Sequence, residues 1–210
     1  MSHICSELHT IVNHKTNFVF PFNEDDIPKN GIYILFEKGE KGHNGNRIVR
    51  IGTHTGVNQL RSRLKQHFLR EKKDRSIFRK NIGRCILNRD NDPYLKIWEY
   101  DCTSSVGKAK YGHLLQTEYQ GEVEAKISTY IQNHFSFGVL ELKEKEDRLY
   151  YEARLISTVS GCNECRPSEN WLGLSSPIEK IRASGLWQVN ELYKEPLSPS
   201  EMKSLAELIL

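Results

Sequence analysis

No stretch of this chain approaches the ~18 consecutive apolar residues that a membrane-spanning helix needs, and its opening MSHICSELHT lacks the basic-then-apolar pattern of a secretory leader. A soluble, cytoplasmic protein with no membrane partner is expected. The five cysteines (Cys5, Cys85, Cys102, Cys162, Cys165) are an odd set without framework spacing, so disulfides are not expected to hold the fold. No internal repeat or low-complexity tract occurs, and 38% apolar with 27% charged residues excludes disorder and fibrous repeats. What remains is an ordinary globular chain of 210 residues, one domain with appendages or two small ones, long enough to bury roughly 70% of its unfolded surface.

Acidic residues are also scarce in one place. Between Arg47 and Arg89, thirteen Lys and Arg face only Glu71 and Asp74, a local balance of +11 in a chain whose total is +3, so the remainder carries −8. Such asymmetry suits a nucleic-acid footprint, because clustered Lys and Arg release phosphate counterions while acids elsewhere hold the total near neutral. A solvated helix face is the plainer alternative. The interleaved Phe68, Phe78 and amides favour nucleic acid. Charge alone does not separate a binder from a nuclease.

Pro28 and Asn30-Gly31 punctuate the entry to GIYILFEK, which predicts a strand at about 31–37. The polar, glycine-rich EKGEKGHNGN then leads into RIVRIGTH, a second strand, so an antiparallel hairpin with a long tip is expected. Leu60, Leu64 and Phe68 recur every fourth position and predict a helix, with a second one at 76–88. Turn residues around LKIWEY predict an irregular insertion at about 89–117. A helix at 118–134, a strand in FSFGVLEL, a helix at 146–160 and a last helix capped by Ser198 or Ser200 complete the pattern. The expected fold class is α+β, a small sheet flanked by helices.

On the first of these helices Arg63 and His67 are i and i+4 partners flanking the apolar stripe, so a guanidinium and an imidazole emerge together at the edge of the core. The plain alternative is a surface arginine and a half-buried histidine. On the helix at 146–160, Glu152 falls within the arc of Leu149, Ala153, Ile156 and Val159. A carboxylate there needs a partner. Arg148 is available, but cation-before-anion is the weaker helical orientation, worth only ~0.3 kcal/mol, which leaves a metal or a buried arginine. Cys162-Asn163-Glu164-Cys165 is half of a zinc site without a second CxxC or an HxxxH, so ordinary loop thiols are expected. Trp171 and Trp187 are expected to close a core rather than stack bases.

Taken together, these residues resemble a GIY-YIG nuclease. Gly31-Ile32-Tyr33 stands as the first motif and Arg50-Ile51-Gly52 as the second, in the manner of a bacterial subgroup with RIG in place of YIG. Arg63 looks like the family's arginine and His67 like the histidine of some restriction-enzyme branches. Glu152, in YYEARLI, is similar to the metal-binding glutamate, Asn170, in RPSENWLG, to the asparagine that follows a proline, and SGLWQVN to a trailing motif. The resemblance implies a three-stranded antiparallel sheet flanked by helices and a metal-dependent endonuclease acting on DNA, with RNA as an alternative substrate. One ion, Mg²⁺ or Mn²⁺, would sit on Glu152. Tyr33 with His67 would orient or deprotonate the attacking water, Arg63 would stabilise charge on phosphorus, and Asn170 would position Tyr33 or a water.

The second motif has Arg50 where a tyrosine is usual, and sixteen residues separate the two tripeptides, a longer hairpin tip that a solvated loop absorbs. Arg50 is expected to hold a phosphate, with His54 on the same strand face offering a titratable group. Arg61, Lys65, Arg79 and Lys80 would track the nucleic-acid backbone. The expected division is a lead-in at 1–29, a nuclease-like domain at 30–175 with the insertion at 89–117, and an extension at 176–210 packed on the same domain. A homodimer is one way to cut both strands. The rival expectation is a binding module that kept the fold and basic groove but lost catalysis at Arg50.

Overall fold

The computed structural model of the chain describes residues 2–209. Four strands, β1 (Phe18–Val19), β2 (Ile32–Gly42), β3 (Gly45–Gly52) and β4 (Phe135–Leu140), form one antiparallel sheet in the order β1-β4-β2-β3. Three strands were expected. The fourth, β1, comes from the lead-in, and its two residues are too few to show alternation; Phe18 instead stacks on Phe137 across the pair, with ring centroids 5.1 Å apart. The hairpin tip also differs from expectation. β2 and β3 run through the polar segment to a two-residue turn, His43-Asn44, whose φ angles of 48° and 63° suit the twist of a tight hairpin.

Nine helices surround the sheet among the described residues: α1 (Ser2–His14), α2 (Leu60–Phe68), α3 (Ile77–Arg89), α4 (Leu95–Trp98), α5 (Ser105–Tyr111), α6 (Thr117–His134), α7 (Lys145–Ser160), α8 (Glu179–Ser184) and α9 (Pro199–Ile209). Side chains of successive strand residues point to opposite faces, and here both faces are covered. Tyr33, Leu35, Val49 and Phe137 join Leu64, Phe68, Phe78 and Ile127 in one core. Ile32, Ile34, Ile48 and Ile51 join Leu8, Leu155 and Leu205 in the other. This explains why IYILF reads as an unbroken apolar run rather than an alternating one. None of the helices is long and apolar enough to cross a membrane.

The insertion contains α4 and α5 and is anchored by Trp98, which is fully buried and donates its indole N–H to the Lys80 carbonyl at 3.0 Å. Trp171 and Trp187 close the first core as expected, and both donate to Glu37 Oε2 at 2.8 Å. Ser198 caps α9: its Oγ accepts from the Glu201 N–H at 3.2 Å while its own N–H donates to Glu201 Oε2 at 2.6 Å, a reciprocal capping box.

Candidate active site

Two glycines let the motif strands meet. A Cβ at Gly31 would lie 2.5 Å from the Leu140 carbonyl oxygen of β4, and a Cβ at Gly52 would overlap the ring of Tyr33, its partner in register. Tyr33 therefore lies across Gly52 and directs its hydroxyl toward α2, where His67 Nε2 meets it at 2.8 Å. The other ring nitrogen, Nδ1, is 2.7 Å from Ser76 Oγ, the residue that also caps α3 by accepting from the Arg79 N–H at 3.2 Å. His67 is fully buried rather than at the core boundary, because these two partners draw it inward. Burial, then Arg63, Arg50 and Arg79, holds its pKa well below the usual histidine range. A neutral imidazole has one donor and one acceptor nitrogen, so Tyr33, His67 and Ser76 form one hydrogen-bonded chain.

Arg50 is buried beside this chain. Its Nε lies 3.4 Å from Tyr33 Oη, it donates to the Trp187 carbonyl, and its guanidinium lies 5.5 Å from the centroid of Phe78. Arg50 also lines a cleft of about 260 Å³ with Ile77, Asn81, Glu152, Gln188, Asn190 and Glu191. Glu152 accepts the Thr53 backbone N–H at 3.0 Å through Oε1. Burial pushes its pKa up, opposed by that N–H and by Arg50 and Arg63. Arg148 is not its partner, since that guanidinium donates to the carbonyls of Leu142 and Lys143.

On the far side of Thr53 a second cleft of about 300 Å³ is lined by His54, Gln59, Ser62, Arg63 and Gln66. Arg63 donates to Gln66 Oε1 at 3.1 Å and to the Arg75 carbonyl at 3.3 Å, leaving its buried Nε unpartnered. His54 lies beyond the end of β3 and ties Nδ1 to the Gly56 carbonyl at 2.7 Å, while Nε2 is buried and unpartnered. Burial, with Arg148 adding to it, lowers its pKa. Neutral, with Nδ1–H donated, His54 presents a lone pair at Nε2, consistent with the titratable group expected of it.

A family profile described as a GIY-YIG domain matches residues 2–210. The chain belongs to the GIY-YIG family. Comparison with curated proteins and with solved structures gives no match. GIY-YIG domains generally have endonuclease activity and are usually metal-dependent, so membership implies a nuclease acting on nucleic acid.

In this GIY-YIG domain the sheet and α2 bring Tyr33, Arg50 and His67 into one network, and Thr53 joins Glu152 to the cleft of His54 and Arg63. Asn170 is not with them: it is exposed and lines a different cleft with Glu37, Glu40 and Tyr130. The amides beside Glu152 are Gln188, Asn190 and Asn81. Sequence reasoning marked SGLWQVN as a trailing motif without giving its residues a role. Gln188 Oε1 accepts the Ile51 N–H at 3.0 Å and Asn81 Oδ1 accepts from Arg84 at 2.7 Å, so each amide leaves a buried N–H group without a partner. Unpaired N–H donors beside a carboxylate are the complement of a phosphate with its cation. Glu152, with Glu191 and the Asn190 amide lining the same cleft, fits Mg²⁺ or Mn²⁺, which takes one or two carboxylates and keeps waters.

The basic footprint shrinks. Arg79, expected on the nucleic acid, is fully buried and paired with Glu124 at 2.7 Å. Arg61 pairs with Asp25 at 3.1 Å and Lys65 with Glu24 at 2.8 Å, binding α2 to the lead-in. Lys80 donates to the Glu99 carbonyl at 2.9 Å. Arg47, Lys73, Arg84 and Arg89 also face carboxylates, at Glu40, Asp74, Glu99 and Asp90. Among the described residues, the exposed bases of this segment that face no carboxylate are Arg70, Lys72 and Arg75, in the connection from α2 to α3 that carries the Arg63 contact.

Proposed function

We propose that the protein is an endonuclease that hydrolyses phosphodiester bonds in DNA with one divalent ion, Mg²⁺ or Mn²⁺, held by Glu152. The observation that carries this reading is a phenol hydrogen-bonded to a buried histidine whose pKa is held low, with Arg50 joining it to the cleft that Glu152 lines. Tyr33 accepts the proton of the attacking water as its own moves to His67 Nε2, and Ser76 holds the ring through Nδ1. Arg50 faces the oxygen on which charge develops during that transfer. Arg63, with an unused Nε–H, stabilises the charge on phosphorus. The N–H groups of Gln188 and Asn81 receive phosphate oxygens. The bound ion would supply Lewis-acid polarisation of a phosphate oxygen and neutralise the leaving group.

The test is cleavage of plasmid and branched DNA with Mg²⁺ or Mn²⁺, beside Glu152→Ala and an EDTA control. Nicking should require the ion and disappear in the variant while DNA binding persists; Arg63→Ala should lose turnover by ~10²-fold or more. No cleavage by the wild type, with salt-sensitive binding intact, would favour a binding module instead. One observation favours a second reading of the base. His54 offers an unpartnered Nε2 on the wall it shares with Arg63. Tyr33→Phe and His54→Gln separate the two, since loss of the true acceptor removes the acidic limb of the pH–rate profile, where the acceptor becomes protonated.

A further inference from the structure

Away from the cleft, five donor side chains converge where α1, the β2–β3 turn and the loop after α7 meet. Cys5 and His9 lie one turn apart on α1, His43 occupies the turn, and Cys162 and Cys165 follow Ser160. Cys5 Sγ is 3.6 Å from Cys165 Sγ and 3.6 Å from His9 Nδ1, and Cys162 Sγ is 3.3 Å from His43 Nε2. Donor atoms of Cys5, His9, His43 and Cys165 all lie within 4.8 Å of one another. Tetrahedral zinc, with bonds of ~2.3 Å to sulfur and ~2.0 Å to nitrogen, sets its ligand atoms roughly 3.5–3.8 Å apart. The Cys5–Cys165 and Cys162–His43 spacings lie close to those edges. Isolated buried thiols pack as small hydrophobes, but apolar packing does not gather three thiols and two imidazoles at one point.

We propose that this cluster is a structural zinc site whose four ligands are Cys5, His43, Cys162 and Cys165, with His9 as its support. The group within 4.8 Å is Cys5, His9, His43 and Cys165, and Cys162 Sγ reaches it at His43 Nε2, 3.3 Å away, so the choice at the fourth corner lies between His9 and Cys162. Both ring nitrogens of His9 are engaged by backbone: Nδ1 meets the Cys5 carbonyl at 2.8 Å, and Nε2 accepts the Ile48 N–H at 3.2 Å. Cys162 has no such rival, and the Glu164 backbone N–H faces its sulfur, as befits a thiolate in a CxxC turn. His43 turns Nε2 to the sulfur atoms and Nδ1 to Glu164 Oε2 at 3.5 Å, the carboxylate support a metal-bound imidazole takes. Four protein ligands close the site, as structural zinc requires. The half-site CxxC thus finds its complement in a helix residue and a hairpin turn, which no local spacing announces.

The zinc ties α1 and the hairpin tip to the end of α7, the helix that carries Glu152. Ser160, at that end, is eight residues from Glu152, a rise of roughly 12 Å, so the site is separate from the proposed Mg²⁺ position. It does not depend on the nuclease reading, and its test reads metal content rather than cleavage. The full chain, purified under reducing conditions from zinc-supplemented medium, should hold about one zinc by elemental analysis. Cys5→Ser, Cys162→Ser, Cys165→Ser and His43→Gln should lose it; Cys85→Ser and His9→Gln should keep it. Because a ligand variant can fail to fold, the wild type is also melted with and without a zinc-selective chelator. The melting temperature should fall with chelator and recover with Zn²⁺ but not Mg²⁺. Folded wild type with less than about 0.1 zinc and no response to added Zn²⁺ overturns the proposal, as does a Cys5–Cys165 disulfide by mass. Zinc lost in His9→Gln but kept in Cys162→Ser overturns the ligand set.

Discussion

Replacing Arg79 by alanine should destabilise the fold and leave DNA affinity almost untouched, the reverse of what a basic helix suggests. The side chain is fully buried. It donates to Glu124 Oε2 at 3.0 and 2.7 Å, to the Glu124 carbonyl at 2.9 Å, to the His67 carbonyl at 3.1 Å and to Ser128 Oγ at 3.0 Å. In Arg79→Ala the Glu124 carboxylate stays buried with its ion-pair partner gone, a change that costs about 3–5 kcal/mol. Burial already pushes the Glu124 pKa up, so the orphaned group can take a proton, which favours the lower part of that range. At roughly 2–4 °C per kcal/mol for a chain of this size, the melting temperature should drop by ~6–20 °C. Calorimetry of wild type and Arg79→Ala checks the drop. DNA titrations at several salt concentrations, below both melting points, check the slope. A melting temperature within ~2 °C of wild type, with the salt slope reduced by about one, would refute the burial argument and restore Arg79 to the interface.

His67 stays neutral in the folded chain while its unfolded counterpart protonates near pH 6.5. The unfolded state therefore binds more protons below that pH, and stability is lost as pH falls through ~6.5 toward the depressed folded value; His67→Gln should flatten this acid-side loss in denaturant melts, and equal steepness would count against a neutral His67. Asn190→Ala should reduce cleavage and Asn170→Ala should not, because only Asn190 shares the cleft with Glu152; the opposite ranking in a plasmid assay would restore the asparagine near the proline. Arg70→Ala, Lys72→Ala and Arg75→Ala should each flatten the dependence of log K on log salt by about 0.9 if each side chain meets one phosphate, and unchanged slopes in all three would place the DNA path elsewhere.

The elements around the site were legible in the sequence because they follow periodicity. Leu60, Leu64 and Phe68 mark α2, GIY and RIG mark facing strands, and Glu152 stands out as a carboxylate in an apolar arc. Its partner was not legible, since the Thr53 N–H is a backbone donor and leaves no mark in a sequence. The depth of His67 was misjudged for a related reason: a helical wheel places a residue on one helix, whereas Tyr33 and Ser76 come from other elements. Counting charge gave the sign of the 47–89 segment without its pairing, because Glu124 is 45 positions from Arg79 and only the fold joins them. Asn170 shows the same limit, as distance from Glu152 along the chain does not say to which side of the sheet a loop returns.

Arg50, where the resemblance leads one to expect a tyrosine, has a structural task at the edge of the sheet. β3 is an edge strand, and edge strands leave backbone groups open to pairing with other chains. Here the segment after α8 covers that edge: the Trp187 N–H donates to the Val49 carbonyl at 2.8 Å, and Gln188 Oε1 accepts from Ile51 at 3.0 Å. Arg50, lying between them in sequence, donates to the Trp187 carbonyl while its Nε faces Tyr33. A tyrosine has one hydroxyl to offer, whereas the guanidinium's several donors hold the covering segment and the Tyr33 oxygen at once. The same segment delivers Gln188 and Asn190 to the cleft that Glu152 lines. The residues beyond 176 therefore complete both the sheet and the cleft, and Arg50 is a contact through which they do so.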